Sequence, residues 1–297
     1  MPTVQVPRSI NRIVLLSLDS LPPATAIPVL AEHFQGRIVA IVLSLRFGGK
    51  YGTRWAQLKK AFARSGLRFV IYVSLQLFLF YPMCFLADGI NLLLGRRKCA
   101  YPLRHLARRY NIPVISTREP NSRAIVERIR SFNPDLIVSC YFDHVIRQKL
   151  IELPRWGIIN IHSGILPDIK GPVPNIWAVI EGCKHVGASV HYIDSETLDT
   201  GPILKLARME RNAAESVLSL DCRLLRLGAR LAIDAITEIE NGTAGAVAQD
   251  QTAGRYFSYP SRHDMRRFRQ QNGRLYRICD FVRQFFAAAE MRHDANA

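Results

Sequence analysis

The feature that most constrains this chain is a recurring pair of signals: a short apolar run rich in branched side chains, followed by a segment of helical character. Residues 12–18 read Arg-Ile-Val-Leu-Leu-Ser-Leu, and residues 38–44 read Ile-Val-Ala-Ile-Val-Leu-Ser. Apolar side chains at successive positions fill both faces of a strand, the pattern of a parallel sheet covered on both sides. Between the two runs, Pro22 and Pro23 open a helix that runs to about Phe34, with Gly36 as its stop. The alternation resumes with a strand at 113–116, a helix over 121–132, a strand at 135–140, a helix over 145–153 and a strand at 157–162. This order predicts an α/β protein with a Rossmann-like, mostly parallel sheet wrapped by helices. Further on, 187–194 and 203–208 read as strands. Val217, Leu220, Leu224, Leu227, Leu231, Ile236 and Ile239 then mark a long helix that Asn241-Gly242 ends.

Residues 48–100 are too many for an ordinary connection between two strands. Within them residues 69–87 carry no charge, with Arg64 and Arg68 before them and Arg96, Arg97 and Lys98 after them. A single span would put two halves of one sheet on opposite faces of a bilayer, so two helices broken near Pro82 are expected instead. Three placements stay open for this hydrophobic helical insertion: packing on the domain, a dimer interface, or docking of residues 69–95 at an anionic membrane surface.

With 40 Lys+Arg against 24 Asp+Glu, the net charge of +16 favours anionic partners without specifying a fold. The composition is that of a folded globular chain, which excludes collagen, coiled coil and disorder over most of its length. The six cysteines are scattered with no CxxC pair, against both a disulfide framework and a zinc site, and no metal is expected. The N-terminal residues have no signal-peptide pattern, so the expected compartment is the cytoplasm, with peripheral membrane association as an option.

The most informative segment is 157–171. On a strand, Asn160 and His162 share one face while Ile159 and Ile161 occupy the other. Polar groups ending a buried strand stand where open α/β sheets place ligands. Downstream, Asp194-Ser-Glu-Thr-Leu-Asp-Thr-Gly201 is an acidic loop between two strands. An amide, an imidazole and a carboxylate suit acyl transfer: Asn160 to donate to a developing oxyanion, His162 to donate or move a proton, Asp199 to orient and charge the ring.

The run 134–140 (Pro-Asp-Leu-Ile-Val-Ser-Cys), the run 152–162 ending in Asn-Ile-His, then Leu166-Pro167, Gly171, 187–194 and Leu198-Asp-Thr-Gly-Pro-Ile203 resemble the 10-formyltetrahydrofolate-dependent formyltransferases. That group includes the glycinamide ribonucleotide, methionyl-tRNA and sugar-amine enzymes. The resemblance covers about residues 110–245. It implies the formyltransferase fold, 10-formyltetrahydrofolate as co-substrate and Asn160, His162 and Asp199 as the catalytic set. It also implies a folate ring held at His144, Val145 and Ile146 and at Asp194 and Leu198, with acceptor contacts from Ser163, Gly164, Gly171 and Asn175. The expected reaction is transfer of a formyl group to a primary amine of a small-molecule acceptor that the sequence does not identify.

Two departures from the family pattern bear on the acceptor. Ser163-Gly164 is permuted relative to the usual order, and the glycine-rich turn after the first strand is replaced by Ser17-Leu-Asp-Ser-Leu-Pro-Pro23, which argues against a simple nucleotide-phosphate acceptor. The expected organisation is a catalytic domain at 1–210, interrupted by the insertion at 48–100, and a C-terminal helical region at 211–297 with a basic tail. The 98 residues after Asp199 leave little room for the C-terminal β-barrel of the methionyl-tRNA enzymes. A tRNA acceptor stays open, because Arg255, Arg262, Arg266, Arg267, Arg269 and Arg274 are interleaved with Tyr256, Phe257, Tyr259 and Phe268. Two further functions are compatible with the residues: a catalytically silent membrane or RNA adaptor, and a hydrolase that releases formate.

Overall fold

A computed structural model describes residues 9–45, 52–78, 80–95 and 102–290. The elements run β1 (Ile13–Leu18), α1 (Leu21–His33), β2 (Ile38–Ser44), α2 (Arg54–Ser65), α3 (Leu67–Leu77), α4 (Phe80–Leu93), α5 (Leu103–Arg109), β3 (Val114–Thr117), α6 (Arg123–Arg130), β4 (Leu136–Cys140), α7 (Gln148–Ile151) and β5 (Ile158–His162). There follow β6 (Ile169–Lys170), α8 (Pro174–Ile180), β7 (His185–Ile193), β8 (Ile203–Glu210), α9 (Val217–Asn241), β9 (Arg255–Tyr256), α10 (Arg262–Gln270) and α11 (Ile278–Glu290). The main sheet has seven strands in the order β3-β2-β1-β4-β5-β7-β8. Its first five strands are mutually parallel, and β7 and β8 add antiparallel strands at one side. This is the mostly parallel α/β sheet that the apolar runs predict. A parallel pair of two residues each, β6 and β9, forms a second small sheet.

Strand alternation sorts the core. Leu15, Val138, Ile159 and Ile161 face α1 and α9, where Ile27, Leu30, Leu225, Ala229, Ala232 and Ile236 fill the layer. Val14, Leu16, Ile137 and Ile158 face the opposite way, against Val126, Ile129 and Leu150. Helix α9 starts at Ser216, whose hydroxyl accepts from Ser219 N, and stops at Gly242, whose φ of 72° is the left-handed cap. Gly228 and alanines on its buried side let it lie close on β5: a Cβ at Gly228 would stand 2.4 Å from Ile161 Cγ2. The helix thus backs the strand that carries Asn160 and His162.

A second core joins the insertion to the C-terminal elements. Phe69, Tyr72 and Cys84 pack with Trp177, Val217, Leu220, Phe257 and Phe268. The uncharged stretch is two helices, α3 ending at Leu77 and α4 starting at Phe80, with Pro82 inside the first turn of α4 where proline is tolerated rather than at the break. Among the described residues no helix is long and apolar enough to cross a membrane. Residues 46–51, 79 and 96–101 of this region, with the flanking cations Arg96, Arg97 and Lys98, lie outside the described residues. Of the aromatics interleaved with the tail arginines, Phe268 is fully buried and Phe257 stacks on Trp177 with ring centroids 4.6 Å apart, while Tyr256 is exposed.

In Gly228→Ala, the helix-propensity gain of about 1 kcal/mol opposes overpacking against Ile161, which costs about 1–3 kcal/mol. The variant should unfold at lower urea, and Ile161→Ala, which removes the clashing Cγ2, should cost less in the Gly228→Ala background than in the parent chain. Additive effects of the two substitutions would contradict the close approach.

Candidate active site at the carboxyl end of β5

Asn160 and His162 lie on the face of β5 opposite Ile159 and Ile161, as the alternation requires. The antiparallel register sets His191 of β7 directly across from Asn160 and Ser189 across from His162. Asn160 Nδ2 stands 3.1 Å from His191 Nε2. The other nitrogen of that ring, Nδ1, faces the Tyr192 carbonyl at 2.8 Å. A carbonyl can only accept, so Nδ1 carries the hydrogen, and in the neutral ring Nε2 accepts from Asn160. One N–H of the Asn160 amide is thereby used and the second is left to donate.

Asp199 draws the rest together. Its Oδ1 lies 3.8 Å from His162 Nδ1 and 3.5 Å from His191 Nε2. Its Oδ2 accepts from Gly171 N at 2.8 Å. Burial pushes this carboxyl upward, yet the facing charge of His162 and the Gly171 N–H outweigh it. They hold the group well below the usual carboxylate range. His162 Nε2 meets the Ile169 carbonyl at 3.0 Å, so both ring nitrogens face acceptors. Asp199 has φ of 57°, and its loop is fastened by Gln249, whose Nε2 donates to the carbonyls of Asp199 and Gly201 at 3.1 and 2.6 Å. His191 and Gln249 are site members that motif reading misses. The available signal for His191 is a second polar residue, after Ser189, on the same face of an otherwise apolar strand.

The loop from β5 to α8 is built around the imidazole. A Cβ at Gly164 would lie 2.7 Å from His162 Nε2, so only glycine fits there. Ser189 Oγ donates to Gly164 O at 2.7 Å and accepts from Leu166 N at 3.1 Å. Gly171, with φ of 119°, passes so close to Phe257 O that a Cβ would stand 2.0 Å from it. Ser163 lines a small cavity with Tyr72, Tyr141, Val217 and Asp221. Asn175 is buried and donates to Asp221 Oδ1 at 2.7 Å, and Tyr72 OH donates to Oδ2 at 2.5 Å. Burial pushes the Asp221 carboxyl up to about 6 against those two bonds.

The two segments expected to flank a ring are joined, since Gln148 N donates to Glu196 Oε1 at 3.3 Å. His144 turns its side chain inward to Ser44 Oγ at 2.9 Å, and Ile146 is buried in the core. Val145 and Leu198 instead expose their apolar side chains, one from each segment, and Asp194 is exposed. A pair of exposed apolar side chains on two joined segments suits a flat heteroaromatic ring. Cys140, fully buried with its thiol pushed up to about 12 by burial, is no nucleophile at neutral pH. Among the described residues no group of three His, Cys, Asp or Glu side chains could hold a metal ion.

The insertion reaches the same end of the sheet. Strand order reverses between β1 and β4, and the crevice at such a point receives ligands in open α/β sheets. Tyr81 OH of α4 donates to Asp19, just after β1, and Tyr141 OH, just after β4, donates to Gln76 of α3 at 2.9 Å.

Comparison with known proteins agrees with this architecture. The family described as formyl transferase matches residues 92–236. The methionyl-tRNA formyltransferase of Lachnospira eligens is 36% identical over 155 residues, covering 52% of this chain and 49% of that protein. The chain thus matches about half the length of such curated relatives. Glycinamide ribonucleotide transformylase 1 from Symbiobacterium toebii superposes with a TM-score of 0.52 at 18% identity, covering 82% of this chain and 95% of that one. An N-formyltransferase from Helicobacter canadensis, solved with folinic acid and dTDP-3-aminofucose, gives a TM-score of 0.52 at 18% identity over 84% of this chain and 71% of that one.

The pH dependence of stability follows from the Asp199 contacts. An unfolded Asp titrates near 4 (roughly 3.9), and the folded group lies lower. The carboxylate therefore contributes stability above about pH 4 that is lost as pH falls through the folded value. Asn tolerates the positive φ, so Asp199→Asn should cost about 1–3 kcal/mol at pH 7. Urea unfolding should find the gap narrowing below about pH 4; a gap independent of pH would contradict the charge-based origin.

Proposed function

We propose that this chain, which matches the formyl transferase family over residues 92–236, is a formyltransferase that transfers a formyl group from 10-formyltetrahydrofolate to a primary amine of an acceptor. The observation that carries this reading is the convergence of Asn160, His162, His191 and Asp199 at the carboxyl end of β5. We take 1–210 as the catalytic unit, with Gln249 of the 211–297 region bracing its acidic loop.

The chemistry asks the chain for few things. An amine nitrogen bonds to the formyl carbon, negative charge develops on the formyl oxygen, and the bond from that carbon to the folate nitrogen then breaks. The second N–H of Asn160, aligned by the bond to His191, donates to that oxygen. His162, paired with the Asp199 carboxylate through Nδ1, sets positive charge beside it. The proton lost by the amine returns to the departing folate nitrogen, with the His162–Asp199 pair as its carrier. The folate ring would lie between Val145 and Leu198, bonded to backbone groups near residues 144–146 and at the 194–199 loop. Folinic acid in the Helicobacter canadensis enzyme supports a folate donor.

The acceptor is read as a small-molecule amine without a phosphate at the end of β1. Asp19 stands there, its carboxyl pushed upward by burial against bonds from Tyr81 and Leu103 N. A carboxyl group at that point repels the anion that a glycine-rich turn would cradle. A tRNA acceptor is the second reading, favoured by the methionyl-tRNA formyltransferase relatives. Against it, two of the tail aromatics available to stack bases, Phe257 and Phe268, are core residues.

The test is folate deformylation measured across a panel of amines. Amine-dependent turnover is expected, with Asn160→Ala and Asp199→Ala each lowering it by about 10²–10³-fold and His191→Phe lowering it through loss of Asn160 alignment. Formate release without any amine would replace the transferase reading with a hydrolase. Unchanged turnover in Asn160→Ala would remove the oxyanion role.

A further inference from the structure

We propose that the insertion, residues 54–95, is a docking element that lays the outer face of α4 onto an anionic lipid surface. The inner side of α4 is occupied: Tyr81 bonds Asp19 and Cys84 is buried in the second core. Its outer face carries Pro82, Phe85, Leu86, Gly89, Ile90, Leu92 and Leu93 at helical spacing, every one exposed and none charged or polar. Leu92 is 78% exposed and Leu93 87%. Nearby in sequence, Trp55 of α2 is 74% exposed and Leu67, at the start of α3, is 60% exposed. A row of large apolar side chains facing water is the exception on a folded surface and marks something that covers it.

The charge of the sequence on either side of the row argues for the cover. Residues 46–118 contain fourteen Lys and Arg and a single acidic residue, Asp88, so this quarter of the chain supplies most of the net charge of +16. Lys59, Lys60, Arg68, Arg108 and Arg109 are exposed. A second copy of the chain would bring two such cationic surfaces together, which repel. A nucleic acid would satisfy the cations and leave the leucines in water. An anionic bilayer answers both, accepting the apolar row between its acyl chains and the cations at its phosphates and carboxylates. The inner faces of α3 and α4 hold the carboxyl ends of β4 and β1 through Tyr141 and Asp19, so the docked face lies at the ligand-receiving end of the sheet.

Docking is independent of the chemistry at Asn160, and vesicle binding reads it without any formyl donor. The full chain is sedimented with phosphatidylserine–phosphatidylcholine vesicles and with phosphatidylcholine vesicles alone. Binding is expected with the first and should weaken in high salt. The triple variant Leu86→Gln, Ile90→Gln, Leu93→Gln, changed only at exposed positions, should bind at least about tenfold more weakly at an unaltered melting temperature. Lys59→Gln with Lys60→Gln should weaken it by about tenfold. Equal binding to both vesicle types, or a triple variant that binds as tightly as the unaltered chain, would overturn the proposal. So would a triple variant that dissociates a dimer without affecting vesicle binding, or cation-dependent tRNA binding with no affinity for vesicles.

Discussion

The buried carboxylate of Asp199 is the contact on which the arrangement around β5 depends. It takes the Gly171 N–H with one oxygen and faces His162 and His191 with the other. Three separate parts of the chain are thereby fixed to one another: the loop after β6, the end of β5 and the middle of β7. Taking a carboxylate out of water is unfavourable by several kcal/mol unless charge and hydrogen bonds offset it. Here the His162 imidazole and a backbone N–H supply the offset, and the low protonation range of the group reflects it. The backbone is arranged to permit this, with Asp199 at positive φ, Gly171 against Phe257 and Gln249 gripping the loop from behind. Function proposed for Asn160 follows from the same contact, because His191 both faces Asp199 and receives the Asn160 amide.

The insertion is tied to the domain by polar contacts on one side and left open on the other. Tyr72, Gln76 and Tyr81 direct hydroxyl and amide groups to Asp221, Tyr141 and Asp19, and Phe69 and Cys84 join the core beneath. Those bonds position α3 and α4 over the end of the sheet where strand order reverses. The proposed membrane contact and the proposed chemistry would then occupy adjacent parts of one surface.

Much of this was legible in the amino-acid order. The apolar run 38–44 coincides with β2, and the spacing from Val217 to Ile239 with its Asn-Gly stop marks α9, because burial on one side imposes a period that composition cannot hide. Asn160, His162 and Asp199 could be grouped in advance because strand alternation and a glycine-ended acidic loop are local signals. Other features depend on distant partners. A helix was expected over 145–153, but α7 spans only Gln148–Ile151, because Asn121 donates to Val145 O and accepts from Arg147 N and so holds that stretch out of the helix. The pairing of β6 with β9 rests on two residues from each strand and has no periodicity to announce it. His191 enters the site through its register opposite Asn160, which pattern alone does not set. The occupied and exposed faces of α4 have no signal in the uncharged run 69–87, because the residues on both are apolar and only contact with distant elements tells them apart.

The measurement that bears most directly on the proposed chemistry is a crystal structure of the chain bound to a formyl-bearing folate. The account predicts the formyl oxygen within about 2.7–3.1 Å of Asn160 Nδ2, the ring between Val145 and Leu198, and Asp199 still facing His162. A folate bound elsewhere, or a formyl group turned away from Asn160 with the His162–Asp199 pair separated, would contradict it.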